Sequence, residues 1–371
     1  MKGLAAALLS RPRAEGGNRP EPPVSLFEFW PSWLFYLPVI AQWIGLGLRY
    51  GDFSLPTAAN PRILAGGLCG ETKSSILDLV APAARHWLAP YVVTGTSADP
   101  AADLAAAVQA LASAGLAYPV VAKPDIGCNG TGVRLIADQP ALARYLAEFP
   151  RGAPVLLQAY VPHPGEAGLF YIRKPGEARG RISSVTLKSS PVLVGDGRRT
   201  LRELIRDDPR TGRLPPRLFL KRLAVQLDTV PPSGEPVRLV FVGNHCKGST
   251  FHNGQEHATE ALTTRLDAIA KTMPDFHFGR FDLRFRSLAE LRQGRGFTII
   301  EINGVGSEAT HIWDPRTRLI DAYLSQFAHY RAAFEIGRRM RAAGHRTSGV
   351  FAMLRLWRLQ KRLMAAYPLN D

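Results

Sequence analysis

Cysteine is scarce in this sequence. The 371 residues include three cysteines, Cys69, Cys128 and Cys246, which lie far apart and form no CxxC pair. This spacing argues against a disulfide framework and indicates a reducing, cytoplasmic environment. Residues 1–25 show no convincing signal-peptide cleavage pattern, and we expect them to form a flexible tail.

Acidic residues are also few. The chain has 31 Asp and Glu against 46 Lys and Arg, which gives a formal net charge of +15. Such an excess suits nucleotides, phosphorylated substrates, acidic lipid or nucleic acid without choosing among them. A content of 46% hydrophobic and 21% charged residues argues against a disordered or fibrous protein.

Long apolar runs are rare, with one exception from Phe29 to Leu48, FWPSWLFYLPVIAQWIGLGL. This uncharged run is about long enough to cross a bilayer, but Pro31, Pro38 and two glycines weaken a straight spanning helix. Its Trp and Tyr content favours an interfacial or protein-buried segment. Three alternatives therefore remain: a buried cover of the protein body, a membrane-surface contact and a transmembrane span.

From Arg62 onward, strand and helix signals alternate, which predicts an α/β fold. The pattern predicts a strand in RILAGG, a helix beginning near Glu71 and an alanine-rich helix that Gly115 ends. Three β-rich runs separated by Pro and Gly turns suggest antiparallel strands at 153–161, 168–174 and 181–190. Further strands are predicted at 91–95, 118–123, 237–242, 278–285 and 296–303, and further helices at 140–149, 200–206, 216–227 and 256–271.

The strongest chemical signal is a set of oxygen side chains on two predicted strands: Asp282 in GRFDLRF, and Glu301 with Asn303 in IIEINGVGSE. Because side chains alternate along a strand, Glu301 and Asn303 point to one side. A carboxylate on an apolar strand is costly to bury unless something compensates its charge. Mg²⁺ shared with nucleotide phosphates is the natural compensation, so the three are candidate metal ligands; a solvated strand edge is the alternative.

Arginines flank this set. Arg280 precedes Asp282 by two residues and Arg284 follows it by two, so the same alternation places all three on one face. Arg280 is a candidate for stabilising the charge that develops during acyl transfer. Arg284 is a candidate for substrate binding, and a surface position is the alternative for at least one of the two.

Lys123 ends the apolar strand YPVVAK and precedes the glycine loop PDIGCNGTGV, which contains Gly127, Gly130 and Gly132. Glycine lets the backbone approach a ligand closely, and successive amides in such loops bind phosphate oxygens. The lysine adds a positive charge for the phosphate. Strand, lysine and loop together predict a phosphate site, and an ordinary β-turn is the alternative.

The chain has nine lysines, so their placement is informative. Lys188 and Lys247 adjoin predicted strand ends or glycine-containing loops, as Lys123 does. In HCKGSTFHNG, we expect Lys247 with Ser249 to hold a phosphate or a substrate carboxylate. A zinc site is disfavoured, because the histidine spacing matches no standard site and Lys247 would repel a cation. The histidines concerned are His245, His252 and His257.

The segment GGLCGETKSS, residues 66–75, resembles a P-loop superficially. A Walker A motif requires Gly directly before Lys, and here that residue is Thr72, which disfavours a P-loop kinase. A helix N-terminus after glycines is still a workable anion site and could face the second substrate. Simple turn geometry is the alternative.

Taken together, the motifs resemble the ATP-grasp superfamily, especially the branch that contains D-alanine:D-alanine ligase. VVAKPDIGCNGTGV is similar to its nucleotide-binding lysine and phosphate loop, and GRFD with EIN resembles its catalytic arginine and magnesium ligands. LQAYVPHPGE is similar to its adenine hinge and ribose-binding carboxylate, although Gln158 replaces the usual acid. SSPVLVGDGRRTLRELI resembles the cyanophycin and bifunctional glutathione synthetases. The resemblance covers residues 62–315.

Residue patterns and resemblance together predict a site for ATP and Mg²⁺. The nucleotide-binding set is Lys123, Gly127, Gly130, Gly132, Gln158, Tyr160, Val161, Glu166 and Lys188. The metal ligands are Asp282, Glu301 and Asn303, and the catalytic residues are Arg280 and Lys247. The substrate-binding set is Ser249, Arg284 and Ser307. Ser307 lies in GVGSEAT, in the place of the family's acceptor loop, which is too different here to carry over D-alanine specificity.

The resemblance implies an ATP-grasp fold, with an N-terminal pre-ATP-grasp α/β domain and mixed or antiparallel sheets that enclose the nucleotide. The implied activity joins a small-molecule carboxylate to an amine or similar nucleophile through an acyl phosphate. A kinase-like phosphotransferase and a non-catalytic anion- or nucleic-acid-binding protein are the alternatives, although no specific nucleic acid partner is expected. The predicted regions are a tail at 1–25, an aromatic segment at 26–60, a pre-ATP-grasp domain at 61–115, a catalytic region at 116–315 and a basic helical region at 316–371.

The C-terminal segment VFAMLRLWRLQKRLMAAY, from Val350 to Tyr367, has the spacing of a basic amphipathic helix. Such a helix binds anionic membrane surfaces through its apolar face and its cations. The run from Phe29 to Leu48 would be a second membrane contact. The alternative is that both segments pack on each other or on the protein body.

Overall fold

A computed structural model describes residues 24–215 and 223–370. Most of the predicted tail, residues 1–23, and the first part of the helix predicted at 216–227 lie outside this range. The helices of the described residues are α1 Ser32–Tyr50, α2 Lys73–Leu77, α3 Pro100–Ser113, α4 Gln139–Glu148, α5 Leu201–Asp207, α6 Glu260–Lys271, α7 Leu288–Arg292, α8 Leu319–Ala342 and α9 Val350–Ala366.

The strands are β1 Tyr91–Thr94, β2 Val120–Pro124, β3 Arg134–Ile136, β4 Val155–Ala159, β5 Gly165–Ile172, β6 Arg181–Ser189, β7 Val192–Val194, β8 Pro236–Arg238, β9 Thr250–Asn253, β10 Phe278–Phe285 and β11 Phe297–Asn303. Short 3-10 turns lie at Leu55–Ala58, Leu64–Gly67, Pro82–Trp87, Thr211–Arg213, His245–Lys247, Gln255–His257 and Thr310–Trp313. Helices and antiparallel sheets thus combine as the sequence predicts.

The first sheet has four antiparallel strands in the order β1-β4-β2-β3. Helices α3 and α4 pack on it, and α3 begins at Asp99, whose side chain accepts hydrogen bonds from the next turn. Gly115 follows α3 in a left-handed conformation, as the sequence predicts for the end of this helix. Because β1 pairs with β4, this sheet crosses the boundary predicted between residues 115 and 116.

The second sheet has five antiparallel strands in the order β11-β10-β5-β6-β9. The register places Asp282 opposite Glu301, and Arg280 opposite Asn303. The main apolar core packs on this sheet and includes residues of α2, α6 and α7. A second apolar cluster joins β5 and β10 to α8. The charged positions of β10 and β11 are therefore held by strands with well-packed neighbours.

The strand predicted in RILAGG is wrong. Residues Leu64–Gly67 form a 3-10 turn in which Ala65, Gly66 and Gly67 all have positive φ. Gly67 approaches the backbone of Gly304 so closely that a Cβ would lie 2.6 Å from its Cα. Gly67 thus packs directly against the residue that follows β11. No strand forms in this segment, because the backbone of Ala65, Gly66 and Gly67 is left-handed.

The aromatic segment forms α1, which lies beside α8. Trp43 packs against Tyr330 and Phe334, and Gln42 donates a hydrogen bond to the Phe327 carbonyl oxygen. Among the described residues, no helix is long and apolar enough to cross a membrane.

Helix α9 packs on the protein body along one side. Gln360 accepts a hydrogen bond from the Gly70 amide at 2.7 Å, and the Tyr367 hydroxyl donates to the Ile126 carbonyl oxygen at 2.7 Å. Leu363 packs against the core of the first sheet. The residues predicted to form its apolar membrane face differ in exposure, since Leu363 is partly buried while Phe351 is 90% exposed.

Candidate active site

A cavity of about 480 Å³ opens between the two sheets. Strands β2 and β4 line one side, β5, β6, β10 and β11 line the other, and the glycine loop after β2 borders it. All of the predicted site residues line this cavity except Gly132, Lys247 and Ser249. The cavity is within the size range of small-molecule sites in proteins.

Two carboxylates face each other across the β10–β11 pair. Asp282 is 2% exposed and Glu301 lies directly opposite it in the register. Burial raises the pKa of each carboxyl, but in Asp282 the charges of Arg280 and Lys188 outweigh burial and hold the pKa below its usual value. Both Glu301 and Asp282 are therefore ionised near neutral pH, because nearby cations hold the pKa of Glu301 low as well.

Asp282 is surrounded by donors. Lys188 Nζ lies 2.7 Å from its Oδ1, Arg280 Nη2 lies 2.9 Å from its Oδ2, and Asn303 Nδ2 donates to Oδ2 at 3.1 Å. Gly168 of β5 makes room for this cluster, since a Cβ there would lie 3.1 Å from both Arg280 Cδ and Asp282 Oδ1. The predicted ligand and the predicted arginine are thus in direct contact.

Glu301 has a cation partner that the sequence reasoning did not select. Lys73 Nζ lies 3.1 Å from Glu301 Oε1 and donates to the Gly127 carbonyl oxygen at 2.5 Å. Burial lowers the pKa of Lys73, but Glu301 outweighs this effect and raises it above the usual value. Lys73 belongs to GETKSS, the segment that superficially resembles a P-loop. The lysine lines the cavity from the short helix α2, and Thr72 stands where a Walker A motif has glycine.

Lys123 projects from β2 into the same cavity and is buried. Its Nζ donates to Gln158 Oε1 at 2.8 Å and to the Ile300 carbonyl oxygen at 3.0 Å. Burial lowers the pKa of Lys123 to about 8, even though Glu301 opposes the shift. Gln158, at the predicted hinge, accepts from Lys123 and donates to the Ala89 carbonyl oxygen. Its amide therefore orients the lysine and links β4 to the turn that precedes β1.

The glycine loop bends where the sequence predicts it. Gly130 and Gly132 have φ of 66° and 73°, a conformation that glycine adopts without strain. A Cβ on Gly130 would lie 2.2 Å from Val242, and one on Gly132 would lie 2.8 Å from Pro124. The two glycines therefore permit both the turn and the close packing of the loop. Gly132 does not itself line the cavity, and it packs against Pro124.

Glu166 lies at the other end of the charged cluster. Lys188 Nζ is 3.4 Å from Glu166 Oε1, and Arg284 Nη1 is 4.0 Å from Oε2. Arg284 also donates to the His163 carbonyl oxygen through two nitrogens. Gly243 packs directly on the Glu166 carboxylate, where a side chain would collide. The arginine thus positions the carboxylate that the resemblance assigns to ribose.

The loop after β11 contacts Arg280. Ser307 is 7% exposed and its hydroxyl donates to the Gly304 carbonyl oxygen, which shapes the turn. Arg280 Nη1 donates to the Glu308 carbonyl oxygen at 3.1 Å. Both loop residues line the cavity, so the predicted acceptor loop does reach the site.

Two predicted residues lie away from the cavity. Ser249 is fully buried, and its hydroxyl donates to the Val242 carbonyl oxygen at 2.9 Å. Lys247 lies in the turn His245–Lys247. Asn244 and His245 line the cavity, and Lys247 does not. In this structure, therefore, Ser249 supports the segment. The substrate-binding role of Ser249 and the catalytic role of Lys247 stay predictions.

Further residues of the cavity were missed because their sequence context is unremarkable. Glu71 has a buried Oε2 with no hydrogen-bond partner among the described residues, and burial raises its pKa. Tyr36 donates a hydrogen bond to the Glu308 carboxylate, and both residues line the cavity. The signal for Glu308 was an acid directly after Ser307 in the acceptor loop; Tyr36 offered none beyond its aromatic segment.

The donor set fits Mg²⁺, which prefers oxygen ligands. Asp282 and Glu301 supply ionised carboxylates, and Asn303 donates its Nδ2 to Asp282, which leaves its amide oxygen for another partner. Among the described residues, no three His, Cys, Asp or Glu side chains are grouped to hold a metal. A magnesium site here would therefore depend on phosphate oxygens to complete the coordination.

No protein-family model matches the chain, and no curated protein matches it. Among solved structures, it is similar to a bifunctional glutathione synthetase from Pasteurella multocida, at 18% identity and a TM-score of 0.34 over 69% of this chain and 36% of that one. It is also similar to the VanG D-Ala:D-Ser ligase from Enterococcus faecalis, at 14% identity and a TM-score of 0.40 over 72% and 62%. A D-alanine–D-alanine ligase from Bacillus anthracis matches at 12% identity and a TM-score of 0.38 over 75% and 70%.

The chain spans about a third of the length of the glutathione synthetase. Because the sequence identities are this low, the chemistry can be inferred only from the side chains that line the cavity.

Proposed function

We propose that the protein is an ATP-dependent ligase that activates a carboxylate as an acyl phosphate and joins it to an amine. The observation that carries this proposal is the pair of ionised carboxylates, Asp282 and Glu301, placed opposite each other in a cavity that also contains buried lysines and an arginine. Such a mixture suits a nucleotide with its metal, because phosphates need cations and the metal needs carboxylates.

In this proposal, the nucleotide lies between the sheets. Lys123 and Lys188 bind phosphate oxygens, and the backbone amides of the glycine loop add neutral donors. The base lies against the apolar side chains Val121, Phe241 and Ile300, which line the cavity beside Tyr160 and Val161. The ribose lies near Glu166, whose carboxylate the two neighbouring cations hold in place.

The chemistry has two steps. A carboxylate oxygen of the first substrate attacks the γ-phosphorus, the bond from that phosphorus to the bridging oxygen breaks, and ADP leaves. The amine nitrogen then attacks the acyl carbon, the bond from that carbon to the phosphate oxygen breaks, and the nitrogen loses a proton. Arg280 lies between Asp282 and the acceptor loop, so its guanidinium can stabilise the oxyanion that forms at the acyl carbon.

Asp282, Glu301 and Asn303 would hold Mg²⁺, which when bound neutralises phosphate charge and acts as a Lewis acid. Lys73 holds Glu301 in position in the structure and at the same time bonds the carbonyl oxygen of Gly127, the first glycine of the loop. The acidic pair and the phosphate loop are thereby coupled through one side chain.

The test is a screen of paired carboxylates and amines for ADP release, followed by product analysis. A donor carboxylate labelled with heavy oxygen should transfer one labelled atom to inorganic phosphate, because the acyl phosphate breaks at its carbon–oxygen bond. An accumulating phosphorylated substrate with no label in free phosphate would instead support the phosphotransferase alternative. Tight, salt-dependent binding of random nucleic acid without ATP turnover would support the binding-protein alternative.

We also propose that α1 contacts an anionic membrane surface. Its residues Trp33, Leu37, Ile40, Ile44 and Leu48 lie at helical spacing and are between 48% and 69% exposed. They form one apolar stripe on a helix that has no acidic residues and carries a cation, Arg49, in its last turn. Helix α9 adds exposed cations, namely Arg355, Arg358, Lys361 and Arg362. This combination of an apolar stripe with basic residues suits the headgroup region of an anionic bilayer.

A further inference from the structure

One end of the cavity is lined by aromatic rings and a single acid. Tyr36 of α1, Tyr330 of α8 and His245 surround this end, and Glu308 and Thr310 of the loop after β11 lie among them. None of these residues belongs to the sites proposed for nucleotide or metal. The chemistry of this end therefore concerns a substrate.

The Glu308 carboxylate is held in place by hydrogen bonds. Its Oε1 accepts from the Tyr36 hydroxyl and from Gln326 Nε2, and its Oε2 accepts from Trp313 Nε1 at 3.4 Å. All three partners are neutral. They orient the carboxylate without compensating its charge, and the contact at Oε2 is long enough to leave that oxygen open to a stronger donor.

The other carboxylates of the cavity are already paired. Asp282 is paired with Lys188 and Arg280, Glu301 with Lys73, and Glu166 with Lys188. Burial raises the pKa of Glu71, which favours its neutral form. Among the described residues, Glu308 forms no ion pair. The Arg280 guanidinium donates through Nη1 to the Glu308 backbone carbonyl oxygen and through Nε and Nη2 to the Asp282 carboxylate.

A second, independent feature points to a ligand at the same place. Thr310 is 7% exposed, lines the cavity, and has a hydroxyl oxygen without a hydrogen-bond partner among the described residues. A buried hydroxyl left without a partner is costly, so a ligand group that bonds to it would be favoured. His245 adds no competing charge, because burial and two arginines lower its pKa to about 3.

We infer that this end of the cavity binds a protonated amino group of a substrate, through the Glu308 carboxylate and the Thr310 hydroxyl, beside the rings of Tyr36 and Tyr330. A carboxylate ringed by aromatic side chains is the arrangement that recognises organic cations. The inference rests on the proposed function in that it names the chemical class of one substrate: a molecule that carries an aliphatic ammonium group and is bound as the cation.

The experiment measures binding rather than turnover, so that it does not depend on the ligase proposal. The protein is saturated with Mg²⁺ and ADP, and its melting temperature is followed during titration with matched probes: alanine against lactate, β-alanine against 3-hydroxypropionate, and propylamine against propanol. Because ligands stabilise the native state that binds them, the amine member of at least one pair should raise the melting temperature while its hydroxyl partner does not.

The variants test the assignment to Glu308. E308Q keeps an oxygen for Tyr36 and Gln326 but removes the charge, and it should weaken amine binding by about ten-fold or more. T310V, which keeps the shape of the side chain, should weaken it by a smaller factor, and it decides the question if E308Q does not fold. The matched control E256Q neutralises an exposed acid outside the cavity and should bind the amine as the wild type does.

Three results would overturn the inference: equal shifts for amine and hydroxyl probes, no shift for any amine, or unchanged amine affinity in both E308Q and T310V. ADP release with the same probes is measured separately. Amine binding without ADP release for any carboxylate would reject the ligase and keep the ammonium site. ADP release with uncharged acceptors, without any amine binding, would support the ligase and reject the ammonium site.

Discussion

At the scale of single residues, Glu301 is the most informative position. Glu301→Gln should abolish ATP turnover, because the amide loses the charge needed for Mg²⁺, while the fold should persist because Glu301 sits on a strand held by packed apolar neighbours. Turnover is measured as ADP release, and folding by circular dichroism and melting temperature. Near-normal turnover in this variant would reject the metal assignment.

Lys123 gives a prediction on pH. Burial lowers the pKa of Lys123 to about 8, so the lysine loses its charge in the ligand-free protein as the pH rises through this value. Because a phosphate contact requires the charged form, ATP affinity should be constant well below pH 8 and should fall as the pH rises above it. Calorimetric titrations across this range test the expectation.

In Lys123→Ala, ATP binding should be weaker at low pH and this pH-dependent step should be absent. Lys174→Ala is a matched control, since Lys174 pairs with Glu335 away from the cavity and should keep the wild-type profile. A wild-type affinity in Lys123→Ala would contradict the assignment of this lysine to a phosphate.

At the scale of secondary-structure elements, α9 supports the phosphate loop. Tyr367 directly follows α9. Its hydroxyl donates to the Ile126 carbonyl oxygen, and its ring packs against Phe149 and lies close to Gly127. Tyr367→Phe removes the hydrogen bond and keeps the ring, so the free energy of unfolding should fall by about 1 kcal/mol. ATP affinity should fall as well, because the loop loses one of its anchors.

Denaturant unfolding and calorimetry measure the two effects. Tyr323→Phe is a suitable control, since Tyr323 lies in the aromatic cluster between α1 and α8 rather than at the loop. A drop in stability without any loss of ATP affinity in Tyr367→Phe would show that α9 does not support the loop.

The exposed stripe of α1 gives a second prediction at this scale. The protein should float with anionic vesicles at low salt and should remain in the lower fractions with neutral vesicles, because both apolar contact and cations contribute to the binding. Replacing Ile40 and Ile44 by Asp should abolish flotation without loss of ADP release, since both residues are about half exposed and neither lines the cavity.

Protein that stays at the bottom with anionic vesicles would reject the membrane contact. Light scattering on the protein alone then shows whether it is a dimer. If a second copy covers the stripe, the double variant should be a monomer.

At the scale of the whole molecule, the cavity lies between two sheets that have separate cores. A ligand that contacts both sheets should therefore stabilise the chain as one unit. MgATP at about a hundred times its dissociation constant should add about 2.7 kcal/mol to the free energy of unfolding. Thermal denaturation with ATP, with and without a chelator, measures this effect, and an unchanged melting temperature would contradict nucleotide binding in the cavity.

Much of the fold could be predicted because its signals are local. Short β-rich runs mark β4, β5, β6, β10 and β11, and the Pro and Gly turns between β4, β5 and β6 suggest their antiparallel arrangement. The failures have physical causes too. RILAGG has the composition of a strand, but its glycines pack against the backbone of Gly304, a contact that no local pattern announces.

The sequence by itself determined the chemical types at the site, because period-two alternation puts Arg280, Asp282 and Arg284 on one face whatever the tertiary arrangement. It also determined the left-handed turns of the glycine loop. The tertiary structure alone decided which charges are paired. Lys73 reaches Glu301, and Tyr36 reaches Glu308 across 272 residues of chain. Such pairs depend on the packing of α1, α2 and the sheets, and a pattern of spacing along the chain carries no record of distances between segments so far apart.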